Sequence, residues 1–173
     1  PLALAADGME ALTNANMQYS TSFWTMFWGG IPGSVGETSV IAILLGAIVL
    51  IWTGVASWKI MFSSVLGALF VAGIANLTGV SDIPCYYHLV MGGFAFGAVF
   101  MATDPVTSAQ TEAGKWIYGF FVGAMCIVIR LFNPGYAEGM MLAIFLGNIF
   151  APLIDHIVVN THLKFKNRKV IAE

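Results

Sequence analysis

Five apolar runs, separated by short polar breaks, set the pattern of this chain. A membrane-spanning helix needs about 20 mostly apolar residues, and the runs predict helices of that kind from Thr38 to Trp58, Ile60 to Leu77, Tyr86 to Thr103, Trp116 to Leu131 and Met140 to Val159. The third and fourth are short and need flanking residues to complete a crossing. The breaks hold turn-forming residues: Lys59 in the first, Gly79, Asp82 and Pro84 in the second, Asp104-Pro105 in the third, Asn133-Pro134-Gly135 in the fourth. A residue before proline disfavours the α conformation, so the third helix should stop near Thr103. Asp104 and Pro105 then suit the cap and first turn of a following helix.

The expected architecture is all-α, a polytopic bundle of five transmembrane helices forming one half of an inverted-repeat fold. Residues 1–37 are less hydrophobic and read as interfacial helices or an ordered loop. Residues 38–160 form the five-helix repeat, and residues 161–173 a basic tail. Composition agrees with a bilayer protein. The 173 residues are 58% hydrophobic and 9% charged, against about 25% charged in soluble domains, and mean hydropathy is +0.84. A net charge of −2 gives no argument for nucleic acid. Cys85 and Cys126 form no CxxC or metal-ligand spacing and read as packing residues. The opening "PLALAADGMEAL" lacks an initiator Met and resembles no signal peptide, so the chain reads as part of something longer.

Charge gives an orientation. Lys164, Lys166, Arg168 and Lys169 mark the tail as cytoplasmic. With five crossings Lys59 and Lys115 fall on that side too, Arg130 falls on the other, and Pro1 lies in the periplasm. Asp104 and Glu112 are then cytoplasmic, Asp82 and Glu138 periplasmic.

No HExxH, GxSxG, Walker loop or CxxC occurs, so a soluble-enzyme mechanism finds no residues. Ionisable groups near the membrane remain. Asp155 lies late in the fifth run and reads either as a snorkelling acid paired with His156 or the tail, or as a cation-handling carboxylate at the cytoplasmic mouth. Pro152 would free backbone carbonyls beside it. Glu138, at the other end of the run, is either a favourable charge at a helix N-terminus or a second acid on a cation path. Hard cations such as Na⁺ prefer oxygen ligands, which Asp104, Glu138 and Asp155 supply. "GSVGETS", Gly33 to Ser39, is either a capping loop or a phosphate cradle formed by Gly33, Ser34, Gly36, Glu37 and Thr38. Phe96 and Phe100 share a helix face and either face neighbours or plug a narrow path. Gly93/Gly97 and Gly119/Gly123 have the spacing of close helix packing. Gly-interrupted runs, "MGGFAFGAVFMATDP" above all, also suit broken helices around a midplane site.

"GSVGETS", "TGVASWKIM", "FMATDPVTSAQTEAGKWIYG" and "NPGYAEGMMLAIFLGNIFAPLIDH" resemble the C-terminal half of the B subunit in the Na⁺-translocating NADH:quinone oxidoreductase family. The D subunit of Rnf complexes shares the general pattern. The resemblance implies a flavoprotein of the bacterial inner membrane, one subunit of a multi-subunit complex, passing electrons through FMN and riboflavin to ubiquinone while Na⁺ crosses. It implies an FMN-bearing threonine immediately before Pro1, which places Pro1 and Leu2 beside the cofactor. It implies a gating pair at Phe96 and Phe100 and Na⁺-linked acids at Asp104, Glu138 and Asp155. Sparse acids and broken helices suit a non-redox channel or secondary transporter equally.

Overall fold

A computed structural model describes residues 23–30, 36–81, 83–132 and 139–172, with side chains described as far as Lys164. Pro1, Leu2, Gly33, Ser34 and Glu138 lie outside the described residues. Within them the chain is all-helical, without strands. The helices are α1 (Phe23–Trp28), α2 (Val40–Trp52), α3 (Trp58–Leu77), α4 (Tyr87–Val90), α5 (Phe94–Phe96) continuing into a π-helical turn (Gly97–Met101), α6 (Glu112–Phe132) and α7 (Met140–Ala172). Three described segments are long and apolar enough to cross a membrane: Trp58–Leu77, Glu112–Phe132 and Met140–Lys164.

The centre is α6, whose buried residues Gly114, Tyr118, Gly119, Val122, Gly123, Cys126, Ile127 and Arg130 recur at helical spacing along one face. α3 answers with small residues: Ser63, Ser64, Gly67, Ala68, Ala72 and Ala75 are buried. Lipid tails are as apolar as leucine, so helices in a bilayer associate through close packing of small side chains. A Cβ on Gly119 would run into Ser63 Oγ and the Ile60 carbonyl, one on Gly123 into the Ser64 carbonyl, one on Gly67 into the Phe120 carbonyl. These pairings place the start of α3 beside the start of α6, so the two helices are parallel. α7 returns antiparallel: Asp155 meets the start of α6, Gly147 packs on Tyr118 and Val122, and Gly139 lies on the Cys126 carbonyl. The Gly119/Gly123 spacing thus serves bundle packing.

The first run departs from expectation. α2 has 13 residues and stops at Trp52 rather than Trp58. The Thr53 hydroxyl bonds back to the Val49 and Leu50 carbonyls. Gly54 then adopts φ 73, a left-handed helix stop suited to glycine. Chain breakers inside an apolar run thus override its hydropathy. The fourth run gains flanking residues as expected and becomes the 21 residues of α6. The fifth extends past Val159 to Ala172.

The third run is broken. α4 ends at Val90, and Gly92 has φ 60. The chain resumes as α5 and widens into the π turn, where the Ala102 amide donates to the Gly97 carbonyl at 2.7 Å. Broken backbone inside a bilayer must find partners, since lipid offers none. Arg130 of α6 supplies them. Buried to 3% exposure, its Nη1 donates to the His88 carbonyl at 2.7 Å and its Nη2 to the Met91 carbonyl at 2.9 Å. The guanidinium fork thus bridges the gap between α4 and α5.

Candidate ion pathway

Below the break the chain presents Phe96 on α5 and Phe100 on the π turn, with ring centroids 5.1 Å apart. Phe100 lies over Gly46 of α2, where a Cβ would come within 2.6 Å of its Cζ. Phe96 packs on the cluster of Ile43, Ala47 and Val99. A π turn carries one extra residue per turn and recurs at functional sites. Here it keeps the two rings in contact while turning Phe100 toward a cleft.

That cleft, of about 510 Å³, lies between the C-terminal end of α2, residues 100–107 and α7. Leu50, Val55, Phe100 and Ile144 form apolar walls, and Thr103, Asp104, Thr107 and Asn148 are polar residues of the lining. The structure therefore brings one member of the expected gate and one expected acid to the same cleft. Tyr118, fully buried on α6, donates its hydroxyl to Asn148 Oδ1 at 2.6 Å and fixes the Asn148 amide from behind.

Asp104 does not start a helix. Its carboxylate accepts from the Thr107 hydroxyl at 2.7 Å and from the Val106 and Thr107 amides at 3.3 and 3.2 Å, closing a turn. The next helix begins at Glu112. The Thr107 hydroxyl and then the Val106 amide hold the Asp104 carboxyl below the usual carboxylate range. Charge is thereby kept on the cleft side of the turn at neutral pH.

Asp155 reaches from α7 to the far end of the same loop. Its Oδ2 accepts from the Gln110 amide at 2.7 Å, and its Oδ1 from the Thr111 amide at 3.0 Å and hydroxyl at 2.6 Å. Thr111 Oγ1 in turn accepts from the Gly114 amide at 3.1 Å, the geometry of an N-cap for α6. Asp104 and Asp155 thus tie down opposite ends of residues 104–111, and the described pairing of Asp155 is with this loop rather than with His156. Nearby, Glu112 is held by Lys59 and by Lys115 at 3.1 Å. Trp58 and Trp116 meet edge to face at 5.9 Å beside them. Acids, lysines and tryptophans therefore gather at one end of the bundle, as a membrane interface requires.

The described part of "GSVGETS" lies away from this cluster. Ser39 caps α2 by accepting from the Ala42 amide at 3.4 Å, which supports the capping reading of that loop. Gly36 lies near the Phe96 ring, the Glu37 carboxyl rests against Gly93, and Thr38 packs on Gly29. Sequence reasoning missed Arg130, Tyr118 and Asn148. A lone arginine late in an apolar run was the available signal for the first, because an intramembrane charge always needs a partner. Tyr118 and Asn148 carried no such mark.

A sequence profile described as the NQR2, RnfD, RnfE family matches residues 1–164. The chain is similar to the B subunit of the Na(+)-translocating NADH-quinone reductase of Klebsiella pneumoniae (strain 342), 46% identical over 92% of this chain and 40% of that protein. It is similar to the protein of the same name from Chromohalobacter salexigens, 46% identical over 97% of this chain and 41% of that protein. With the Chlamydia pneumoniae protein of that name it shares 53% identity over 80% of this chain and 30% of that protein. The chain therefore spans about two fifths or less of the length of these curated relatives. A profile match running over almost the whole sequence means that the chain belongs to the NQR2, RnfD, RnfE family.

Proposed function

We propose that this chain is part of the B subunit of a Na⁺-translocating NADH:quinone reductase, and that it carries the cation route of that pump. The observation that carries the reading is the cleft, where the ring of Phe100 and the anchored carboxylate of Asp104 lie together in a chain with relatives of that name. An Rnf-type D subunit and a non-redox transporter are the alternatives, and the names of the relatives favour the quinone reductase.

Five crossings suit the helix directions best. α3 and α6 run parallel, so the chain between them must return, and only residues 87–103 are there to do it. α2 adds a crossing before α3, and α7 one after α6. The inverted repeat, the bacterial inner membrane, the cytoplasmic C-terminus, the periplasmic Pro1 and the partner subunits follow from the family reading.

FMN on a threonine just before Pro1, riboflavin and ubiquinone belong to the same reading. The described residues make a poor phosphate cradle. Glu37 is itself an anion turned toward Gly93, and Ser39 is engaged as a cap. No step is therefore assigned to the flavin through this loop. Flavin would supply one-electron chemistry, and its added negative charge favours a cation nearby, strongly so in a low dielectric.

The chain's own residues do the rest. Asp104 attracts Na⁺ from the cytoplasmic side into the cleft, where Thr103, Thr107 and Asn148 replace part of its water. Asp155 holds the loop that positions Asp104. The Phe96/Phe100 pair blocks free passage, since dewetting at a ring constriction stops an ion that has lost no water. Glu138 is proposed as the acid at the opposite mouth.

The test uses the whole complex. The purified, denatured and washed subunit should retain flavin absorbance, and NADH:quinone turnover should depend on Na⁺. Asp155→Ala should lower that Na⁺-dependent turnover. A colourless full-length subunit, or turnover indifferent to Na⁺, would reject the redox-pump reading.

A further inference from the structure

The described acids are Glu37, Asp104, Glu112 and Asp155, and Glu37 differs from the others. Asp104 accepts from the Thr107 hydroxyl and two amides. Asp155 accepts from Thr111 and the Gln110 amide. Glu112 holds Lys59 and Lys115. Glu37 has no hydrogen bond and no ion pair among the described residues. It is also half-buried rather than exposed. An ionised group withdrawn from water without a partner is costly, so the structure leaves room for a mobile partner.

Its position says which partner. The carboxyl lies directly against Gly93, where a Cβ would come within 3.1 Å of Oε1 and 3.3 Å of Oε2. The absence of a side chain at Gly93 leaves the carboxylate in close reach of the broken backbone. Gly93 lies six residues along the third segment from Tyr87, roughly 9 Å at helical rise. Tyr87 meets Phe23 of α1 edge to face at the end opposite the lysine cluster. The loop carrying Glu37 therefore dips into the bundle, and irregular backbone at that depth is tolerated where it lines a cavity or is buried in protein. Next along the segment come Phe96, whose ring lies near Gly36, then Phe100 in ring contact with it, then Asp104. From Gly93 to Asp104 is roughly 16 Å at helical rise.

We infer that Glu37 is a cation-binding carboxylate on the far side of the Phe96/Phe100 constriction from Asp104, and that a hard monovalent cation passes between the two. The order along the segment is carboxylate, ring, ring, carboxylate. The fork of Arg130 consumes the His88 and Met91 carbonyls at the break and leaves Glu37 as the described anion facing Gly93. A carboxylate with no partner among the described residues suits Na⁺, which takes oxygen ligands and sheds part of its water for them. Glu37 is thus assigned to the ion and not to the flavin phosphate, which a carboxylate repels.

This inference rests on the sodium-pump reading, and one experiment separates the two. The complete complex is purified as wild type, E37Q and E37D, and quinone-reductase turnover is titrated with Na⁺ while covalent flavin is measured by absorbance. E37Q should keep its flavin and need about tenfold more Na⁺ for half-maximal turnover, with E37D recovering to within about threefold of wild type. Equal Na⁺ titrations for wild type and E37Q would overturn the inference while leaving the pump reading intact. Loss of flavin from E37Q, with an unchanged Na⁺ titration in the flavin-loaded fraction, would overturn it in favour of a flavin contact. Wild-type turnover indifferent to Na⁺ would overturn both. If E37Q fails to assemble, E37A is titrated in its place, a raised Na⁺ requirement supporting the inference and a wild-type titration overturning it.

Discussion

Arg130 is buried and donates to two carbonyls at the break of the third segment. Interrupting a helix in lipid frees two carbonyls, and the fork of a guanidinium matches two acceptors at once. The guanidinium also lies over the Phe94 ring, its carbon 5.9 Å from the ring centroid. Removing it strands the His88 and Met91 carbonyls in a buried site. Arg130→Ala should destabilise the subunit by about 3 kcal/mol or more, as loss of charge-assisted bonds to buried acceptors does. Arg130→Lys should recover less than half of this, because an ammonium lacks the planar fork. Thermal denaturation of the purified complex measures both, and equal midpoints for wild type and Arg130→Ala would refute the clamp. Asp104 shows how a residue's chemistry is legible in sequence while its local role is not. The acid before Pro105 was readable as a cap, and it does accept two backbone amides. What it caps is a turn, because the groups that fold residues 104–111 include the Asp155 carboxylate, an acceptor 44 positions from Thr111. Contacts of that span carry no local signal.

At the scale of elements, hydropathy located α3, α6 and the apolar part of α7, since a long unbroken run in lipid has only the helix open to it. It overran α2, where Thr53 and Gly54 stop the helix inside an apolar stretch. The Gly-interrupted third run was recognisable as a broken helix, yet the π turn was not, since a five-residue register depends on neighbouring helices rather than on its own residues. The α3/α6 seam yields a contrast between two glycines. At Gly123 a Cβ would collide with the Ser64 carbonyl, whereas at Gly73 nothing lies within 4 Å. Gly123→Ala should therefore force the helices apart and cost about 1–3 kcal/mol, the range of overpacking. Gly73→Ala should be neutral, or stabilising by up to about 1 kcal/mol through helix propensity. Denaturation midpoints of the two variants in the assembled complex compare them directly, and equal effects would remove the seam from the account of stability.

The whole molecule is constrained by direction. α3 and α6 lie side by side with their N-termini together, joined at that end by Lys59 and Glu112 and by the ring contact of Trp58 with Trp116. Two parallel crossings are not consecutive, and we propose that residues 87–103 pass from one face of the bilayer to the other despite their break. The α2–α3 loop and residues 104–107 then share a face, as their joint lining of the cleft requires. The loop after α3 belongs to the opposite face. Val55, Val106 and Val80 sit on these loops and are 55%, 85% and 58% exposed. Each can become the one cysteine of this region once Cys85 and Cys126 are replaced by alanine, together with any cysteine in the rest of the subunit. In sealed vesicles of known orientation a membrane-impermeant maleimide should label Val55→Cys and Val106→Cys from one side and Val80→Cys from the other. Labelling of Val80→Cys and Val106→Cys from the same side would mean that the broken segment enters and leaves by one face. The Phe96/Phe100 pair would then stand at the floor of a re-entrant loop, with no second compartment behind it for a cation to reach.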